Sequence, residues 1–559
     1  MLRSKVLVVC SLLLFLSSIG LAQEGYDNYR FNEQDTLRGS LNPLRTSYDV
    51  RFYDMDLWVD MEKEYIEGYI GIDFDVLEDL SSIQLDLFEN MKIDRVTLVN
   101  NYEELDLSFQ RNGNAFFVDL PSLSAGEKAR INVYYNGKPL KAKNAPWDGG
   151  FSWKKDQKER PWLGVSCEGI GASLWWPNKD HLSEEPDSMR INIRVDQAYT
   201  VISNGNLRST SSFDDGTHSF EWFVSYPINN YNVSLNIGQY VHFEDKYISL
   251  DKDTLQCDYY VMDYNLELAQ EHFQQVHGVL ASFEYFFDKY PFWEDGYALI
   301  ETPYLGMEHQ SGIAYGNRFM RGYLGRMIPA DMDWDFIIVH ETGHEYFGNS
   351  ISSKDHAEMW IHESFTTYME ALYVEYRYEY PDVERYLLGQ RGFIKNKQSI
   401  IAPMGVNFDN WESSDHYYKG SWILHTLRHH MDNDEQWFGL IKSFYKKYAM
   451  SHIDTEDFIA FSEEYTGKEL RSVINHFLYK KDLPVLAYSV KQKGKKKILE
   501  YKWVGVDPGF DLTVWLKVGD ELQRIQPGTD LKTSVFDSSK SESLEVDLAK
   551  ALILTQELD

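Results

Sequence analysis

Phe336-Ile337-Ile338-Val339-His340-Glu341-Thr342-Gly343-His344-Glu345 is the stretch on which the reading of this chain turns. Four apolar residues lead directly into the histidines, which predicts a buried helix, with Asp333 as its N-cap and Gly348-Asn349 as its stop. Positions i and i+4 share a helix face, so His340 and His344 can aim their imidazoles at one ion. Glu341 points about 100° away, within reach of a water at that ion without ligating it. Two histidines leave zinc one protein ligand short. Glu363 supplies it from a second predicted helix, Trp360-Ile361-His362-Glu363-Ser364-Phe365-Thr366-Thr367-Tyr368, which ends before Pro381. Two His and one Glu leave the fourth tetrahedral position open, the arrangement of a catalytic rather than a structural zinc site.

Moving outward, the apolar spacing stays helical from about residue 264 to 483, as in Ala269, Phe273 and Val276, and again in Ile423, Leu424 and Leu427. Before that region the period is two. Ile70, Ile72, Phe74 and Val76 alternate with Gly71, Asp73 and Asp75, while Asn112-Gly113 and Asn204-Gly205 mark turns, which predicts an antiparallel sandwich or saddle-shaped sheet. After Leu483-Pro484 alternation returns in Leu512, Val514, Leu516 and Val518. The expected organisation is a leader at 23–45, a β domain at 46–262, an α-rich domain at 263–484 and a small β domain at 485–559, a multidomain α+β chain.

The first 22 residues read as a signal peptide. Arg3 and Lys5 precede an apolar run from Val6 to Ile19, shorter than the ~20 residues a membrane-spanning helix needs, and Gly20-Leu21-Ala22 forms a cleavage pattern. Export to a periplasmic or extracellular space, with cleavage near Ala22 and no membrane span in the mature chain, is therefore the expectation. A formal net charge of −32 excludes nucleic acid and anionic membrane as partners, since both call for a basic surface. Cys167 and Cys257 remain in the mature chain, and an oxidising compartment would permit them to pair.

His340, Glu341, His344 and, after eighteen further residues, Glu363 resemble the zinc site of the gluzincin metallopeptidases of the aminopeptidase N family, family M1, which includes leukotriene A4 hydrolase. Three further motifs carry the resemblance over nearly the whole mature chain. Leu305-Gly306-Met307-Glu308-His309 is similar to the family's Gly-x-Met-Glu-Asn, with Leu305 and His309 departing from it. Glu168, twelve positions before Asp180, stands where the family places a Gln or Glu on a loop from the β domain. Tyr417-Tyr418-Lys419-Gly420 is similar to Tyr-x-Lys-Gly, with Tyr418 as a rival to Tyr417.

The resemblance implies a thermolysin-like catalytic domain binding one zinc ion per chain, with Glu341 as general base and Tyr417 stabilising the tetrahedral intermediate. It implies that Glu168 and Glu308 hold a free α-amino group beside Gly306 and Met307, so that peptides with a free N-terminus lose one residue. Tyr304 and Leu305 are candidates for the first side-chain pocket. No long helical C-terminal domain is expected, which leaves a more open cleft or one covered by another subunit. An endopeptidase, an epoxide hydrolase like the leukotriene enzyme and a non-catalytic scaffold of the same fold are the alternatives. The sequence does not set the oligomeric state.

Overall fold

A computed structural model of the protein describes residues 23–100, 103–537 and 543–558. The expected signal peptide, 1–22, lies outside the described residues. The chain runs β, then mixed with most of the helices, then β again.

The first unit is built on an eight-stranded sheet with Tyr48–Asp60 and Tyr65–Val76 at its middle. Ile70, Ile72, Phe74 and Val76 are all buried, as their period requires, and a register shift between Val50 and Phe52 keeps Tyr53, Met55, Leu57 and Val59 on the same inner face. A four-stranded sheet, which includes Gly150–Lys155 and Pro161–Ser166, and a three-stranded sheet shield that face. The expected turns are present, with Gly113 at φ +59° and Gly205 at φ +72°, left-handed values that glycine adopts without a Cβ penalty.

The division between units falls earlier than the spacing of apolar residues suggested. Tyr240–Ile248 and Thr254–Met262 alternate like the strands before them. Yet Thr254–Met262 pairs in parallel with Tyr297–Glu301, and both strands belong to a five-stranded sheet that ends in Ile313–Tyr315 and Gly306–Met307. Period two identifies a strand, not the sheet it joins. The short edge strand Gly306–Met307 brings its motif to the cavity described below.

Four helices matter to the site. Helix α1 is Glu33–Gly39, near the N-terminal end, and α2 is Phe336–His344, every residue of it buried. Helix α3 (Trp360–Arg377) packs on α2, and α4 (Asp415–Met431) packs on α3. The cap of α2 is Asp335, not Asp333. Its carboxylate accepts from the Ile337 and Ile338 amides at 2.8 and 3.2 Å, and its second oxygen accepts from His272 and Tyr315, both at 2.7 Å. Asp331, Asp333 and Asp335 alternate in sequence, and the one adjoining the buried run takes the cap because only it reaches the free amides.

Beyond Pro484, Val485–Lys493, Lys496–Val504, Lys532–Asp537 and Leu554–Glu557 form one sheet, and Val514–Val518, Glu521–Ile525 and Leu544–Val546 a second. Their inner residues continue the core of the helical unit, and Arg391 ties the two through the carbonyls of Leu548, Ala551 and Ile553. Cys167 and Cys257 are both free and buried, in different cores, so the disulfide allowed by the sequence is not formed. No described helix is long and apolar enough to cross a membrane.

Candidate active site

His340 and His344 project from α2 and Glu363 from the first turn of α3, onto a common point. The two Nε2 atoms are 3.1 Å apart, and Glu363 Oε2 lies 3.5 Å from the first and 3.3 Å from the second. Each imidazole proton is placed on the far side of its ring. His340 donates from Nδ1 to Glu370 Oε1 at 2.7 Å, and His344 donates from Nδ1 to the Phe347 carbonyl at 3.0 Å. Two nitrogen lone pairs and a carboxylate oxygen without a donor therefore face one another among buried residues. Such an arrangement is repulsive unless a cation lies between them. A tetrahedral ion with bonds near 2.05 Å separates its ligand atoms by about 3.3 Å, so this triangle has the size zinc requires.

Glu370 is a residue the sequence reading missed. It sits two helical turns after Glu363 on the same face of α3, and that i+7 spacing is the signal that could have revealed it. Its other oxygen accepts from Tyr386 at 2.5 Å and Gln390 at 2.9 Å, which fixes the carboxylate and through it the His340 tautomer. Glu370→Gln is expected to weaken zinc binding by about 10- to 100-fold with the fold retained, as read by competition with a chelator. Unchanged zinc affinity would show that the contact is incidental.

Glu341 lines the same cavity, pushed up to about 8 by burial, against the opposing pull of His340 and His344. Gly306 is needed beside it: a Cβ there would stand 2.6 Å from Glu341 Oε1 and 2.8 Å from Ile337 Cγ2. Met307 and Glu308 follow on the cavity wall. Glu308 is buried, and its Oε1 accepts from the Tyr231 hydroxyl at 3.0 Å, a second partner the sequence did not reveal. Glu168 reaches the cavity from the loop after Pro161–Ser166 with a buried, unpaired Oε1. Burial, followed by repulsion from Glu308 and Glu363, holds Glu168 well above the usual carboxylate range. Glu308 is likewise raised, chiefly by burial. Carboxylates gathered in this way favour cationic occupants.

Tyr417 and Tyr418 both border the cavity, but they face different groups. The Tyr417 ring stacks 5.9 Å from His340, and its hydroxyl reaches Glu363. Tyr418 packs instead on Phe393, with ring centroids 5.0 Å apart. Gly420 sets the position of this helix. A Cβ there would fall 1.6 Å from Ser364 Oγ, so only glycine lets α4 lie so close to α3. Leu305 lines the cavity, whereas Tyr304 is turned away and donates to the Val165 carbonyl at 2.7 Å. His309 is fully buried, neutral and absent from the wall; burial lowers its pKa to about 3.

The cavity has a volume of about 840 Å³, and its lining residues run from Pro146 to Tyr418, with none from the C-terminal unit. It accommodates several residues of an extended peptide.

Two family models match the chain: "Peptidase family M1 domain" over residues 264–477 and "Peptidase M1 N-terminal domain" over residues 50–231. The puromycin-sensitive aminopeptidase of Caenorhabditis elegans is 21% identical over 476 residues, covering 82% of this chain and 49% of that protein. Aminopeptidase B of Rattus norvegicus is 26% identical over 151 residues, covering 25% of this chain and 23% of that protein. The chain thus spans half or less of the length of these curated relatives. Among solved structures, an M1 zinc metallopeptidase from Deinococcus radiodurans superposes with a TM-score of 0.65 at 19% identity, covering 78% of this chain and 95% of that one.

The expectation of export is overturned by the relatives. The nematode enzyme, the probable aminopeptidase 2 of Sulfurisphaera tokodaii and the tricorn protease-interacting factor F2 of Thermoplasma acidophilum form a set that gives export no support. Two basic residues before an apolar run are a local composition pattern, and that pattern alone does not locate the protein.

Proposed function

The chain belongs to peptidase family M1, and from that premise we propose that it is a zinc aminopeptidase that releases the N-terminal residue of peptides. One observation carries this reading: two carboxylates, the buried Glu308 and the half-buried Glu168 with its Oε1 out of solvent, border the same cavity as the His340–His344–Glu363 triangle, and no described lysine or arginine side chain pairs with them. A peptide's terminal ammonium matches that pair, since charge-assisted hydrogen bonds are strong where water is scarce.

His340, His344 and Glu363 would hold the zinc, and Glu370 and the Phe347 carbonyl would keep both imidazoles in the ligating tautomer. A bound zinc supplies Lewis-acid polarisation of a carbonyl and brings the pKa of a water toward 7. Glu341 takes the proton of the attacking water and delivers it to the departing amine, with Gly306 leaving room for its carboxylate. The Tyr417 hydroxyl donates to the carbonyl oxygen as negative charge develops there, from a position set by the close α3–α4 packing. Glu168 and Glu308 accept from the ammonium, and Tyr231 orients Glu308. Anchoring the amine one residue from the cleaved bond makes the enzyme an exopeptidase without any need to block the cleft.

Acetylating the N-terminus of a good substrate removes the charge that Glu168 and Glu308 bind. Its kcat/KM is expected to fall at least about 100-fold, the scale of losing a partner from a buried, hydrogen-bonded charge pair. Peptide mapping by mass spectrometry decides the point: equal cleavage of free and acetylated peptides would make the protein an endopeptidase. Absence of zinc-dependent cleavage of either would make it a binding scaffold.

A further inference from the structure

Residues 23–45 precede both family-model matches, yet they pack against segments that wall the active site, from two directions. Toward the start of this segment, the Tyr26 and Tyr29 hydroxyls donate to the carbonyls of Ser399 and Asn410 at 2.8 and 2.9 Å. Tyr26 forms a small separate core with Ala357, Ala402 and Phe408, and Tyr29, Val406 and Trp411 pack against it. Trp411 is itself a wall of the cavity and lies 4.5 Å from the ring of His416, next to Tyr417. Farther along, α1 ends at Gly39, where a Cβ would stand 2.4 Å from the Asn407 amide; the two backbones touch.

Between these contacts stands Arg38. Its guanidinium donates to the carbonyl of Ile170 and, at 2.5 Å, to that of Gly169, the two carbonyls that follow Glu168. Asn407 Nδ2 donates to the same Gly169 oxygen at 2.8 Å. Gly169, at φ +74°, could not carry a side chain, because its Cβ would fall 2.3 Å from Asp409 Oδ2. The Glu168 loop is thus gripped between an arginine of the N-terminal segment and a loop of the helical unit, while Glu168 Oε1 is left unpaired toward the cavity.

We propose that residues 23–45 are a strap that completes the active site, and that Arg38 is a positioning residue which fixes Glu168 for the substrate ammonium through the Gly169 and Ile170 carbonyls. This rests on the reading of Glu168 as an amine anchor. A planar fork of donors suits two adjacent carbonyls, and a lysine can serve only one of them well. Loosening the grip weakens substrate binding and leaves the proton transfer at Glu341 intact.

The test is a double-mutant cycle of Arg38→Ala and Glu168→Ala in the full-length, zinc-loaded protein, with a free-amine aminoacyl reporter, zinc content and thermal melting measured for each variant. Glu168→Ala is expected to raise KM at least about tenfold. Arg38→Ala is expected to raise it at least about fivefold, with kcat changed less than about threefold and zinc content unchanged. The double variant is expected to be no worse than Glu168→Ala alone, because coupled residues do not add. Should Arg38→Ala fail to fold, Arg38→Lys is read by the same criteria, with a smaller rise in KM. An unchanged KM in the Arg38 variant, or effects that multiply in the double variant, would leave Arg38 a merely structural residue. An unchanged KM in Glu168→Ala would sink the amine-anchor reading itself, and the positioning role with it.

Discussion

Glu341→Gln is expected to lose turnover by about 10³-fold or more while retaining one zinc per chain. The amide nearly matches the carboxylate in shape, so it fits beside Gly306, where there is no room for adjustment. It can neither take a proton from water nor pass one on, and general acid–base catalysis is worth about 10²–10⁴-fold. His340, His344 and Glu363 keep their geometry, because Glu341 is not one of the three atoms that form the triangle. Metal analysis and kcat on the same preparation check the result. Zinc loss with the activity would mean that Glu341 belongs to the metal site, and retained turnover would remove it from the proton path.

Glu308→Gln has the second largest expected effect. The substitution keeps an acceptor for the Tyr231 hydroxyl but removes the charge that faces the ammonium. Losing one partner of a buried ion pair costs about 3–5 kcal/mol, and kcat/KM for free-amine substrates should therefore fall about 10²-fold or more. An N-acetylated substrate, which never uses that charge, should be affected far less. The preference for free over blocked termini thus narrows in the variant. Should the preference stay at the wild-type level, Glu308 is not the anchor, and Glu168 carries the ammonium alone.

Glu341 and Glu308 are legible in the amino-acid sequence because their motifs are local. His340, Glu341 and His344 lie within five residues of one helix, and the helical repeat alone puts both histidines on one face. Glu363 needs a second helix at a suitable distance, which its flanking residues announce. The β–mixed–β order is legible for the same reason: periods of two and of about 3.6 residues can be counted. The N-cap expected at Asp333 lies two residues away at Asp335, since three alternating aspartates look alike until one of them meets a free amide.

What the sequence determined by itself was what depends on spacing along one element: His340 and His344 on one helix face, Glu341 between them, and the strand-rich ends. Tertiary structure alone decided the rest, because those contacts join positions far apart in the chain. It assigned Tyr240–Ile248 and Thr254–Met262 to the helical unit's sheet by hydrogen bonding, and it separated Tyr417 from Tyr418 by what each ring faces. It kept Cys167 and Cys257 apart in two cores. It also brought Arg38 to the carbonyls beside Glu168, about 130 positions away, a contact that no periodicity encodes.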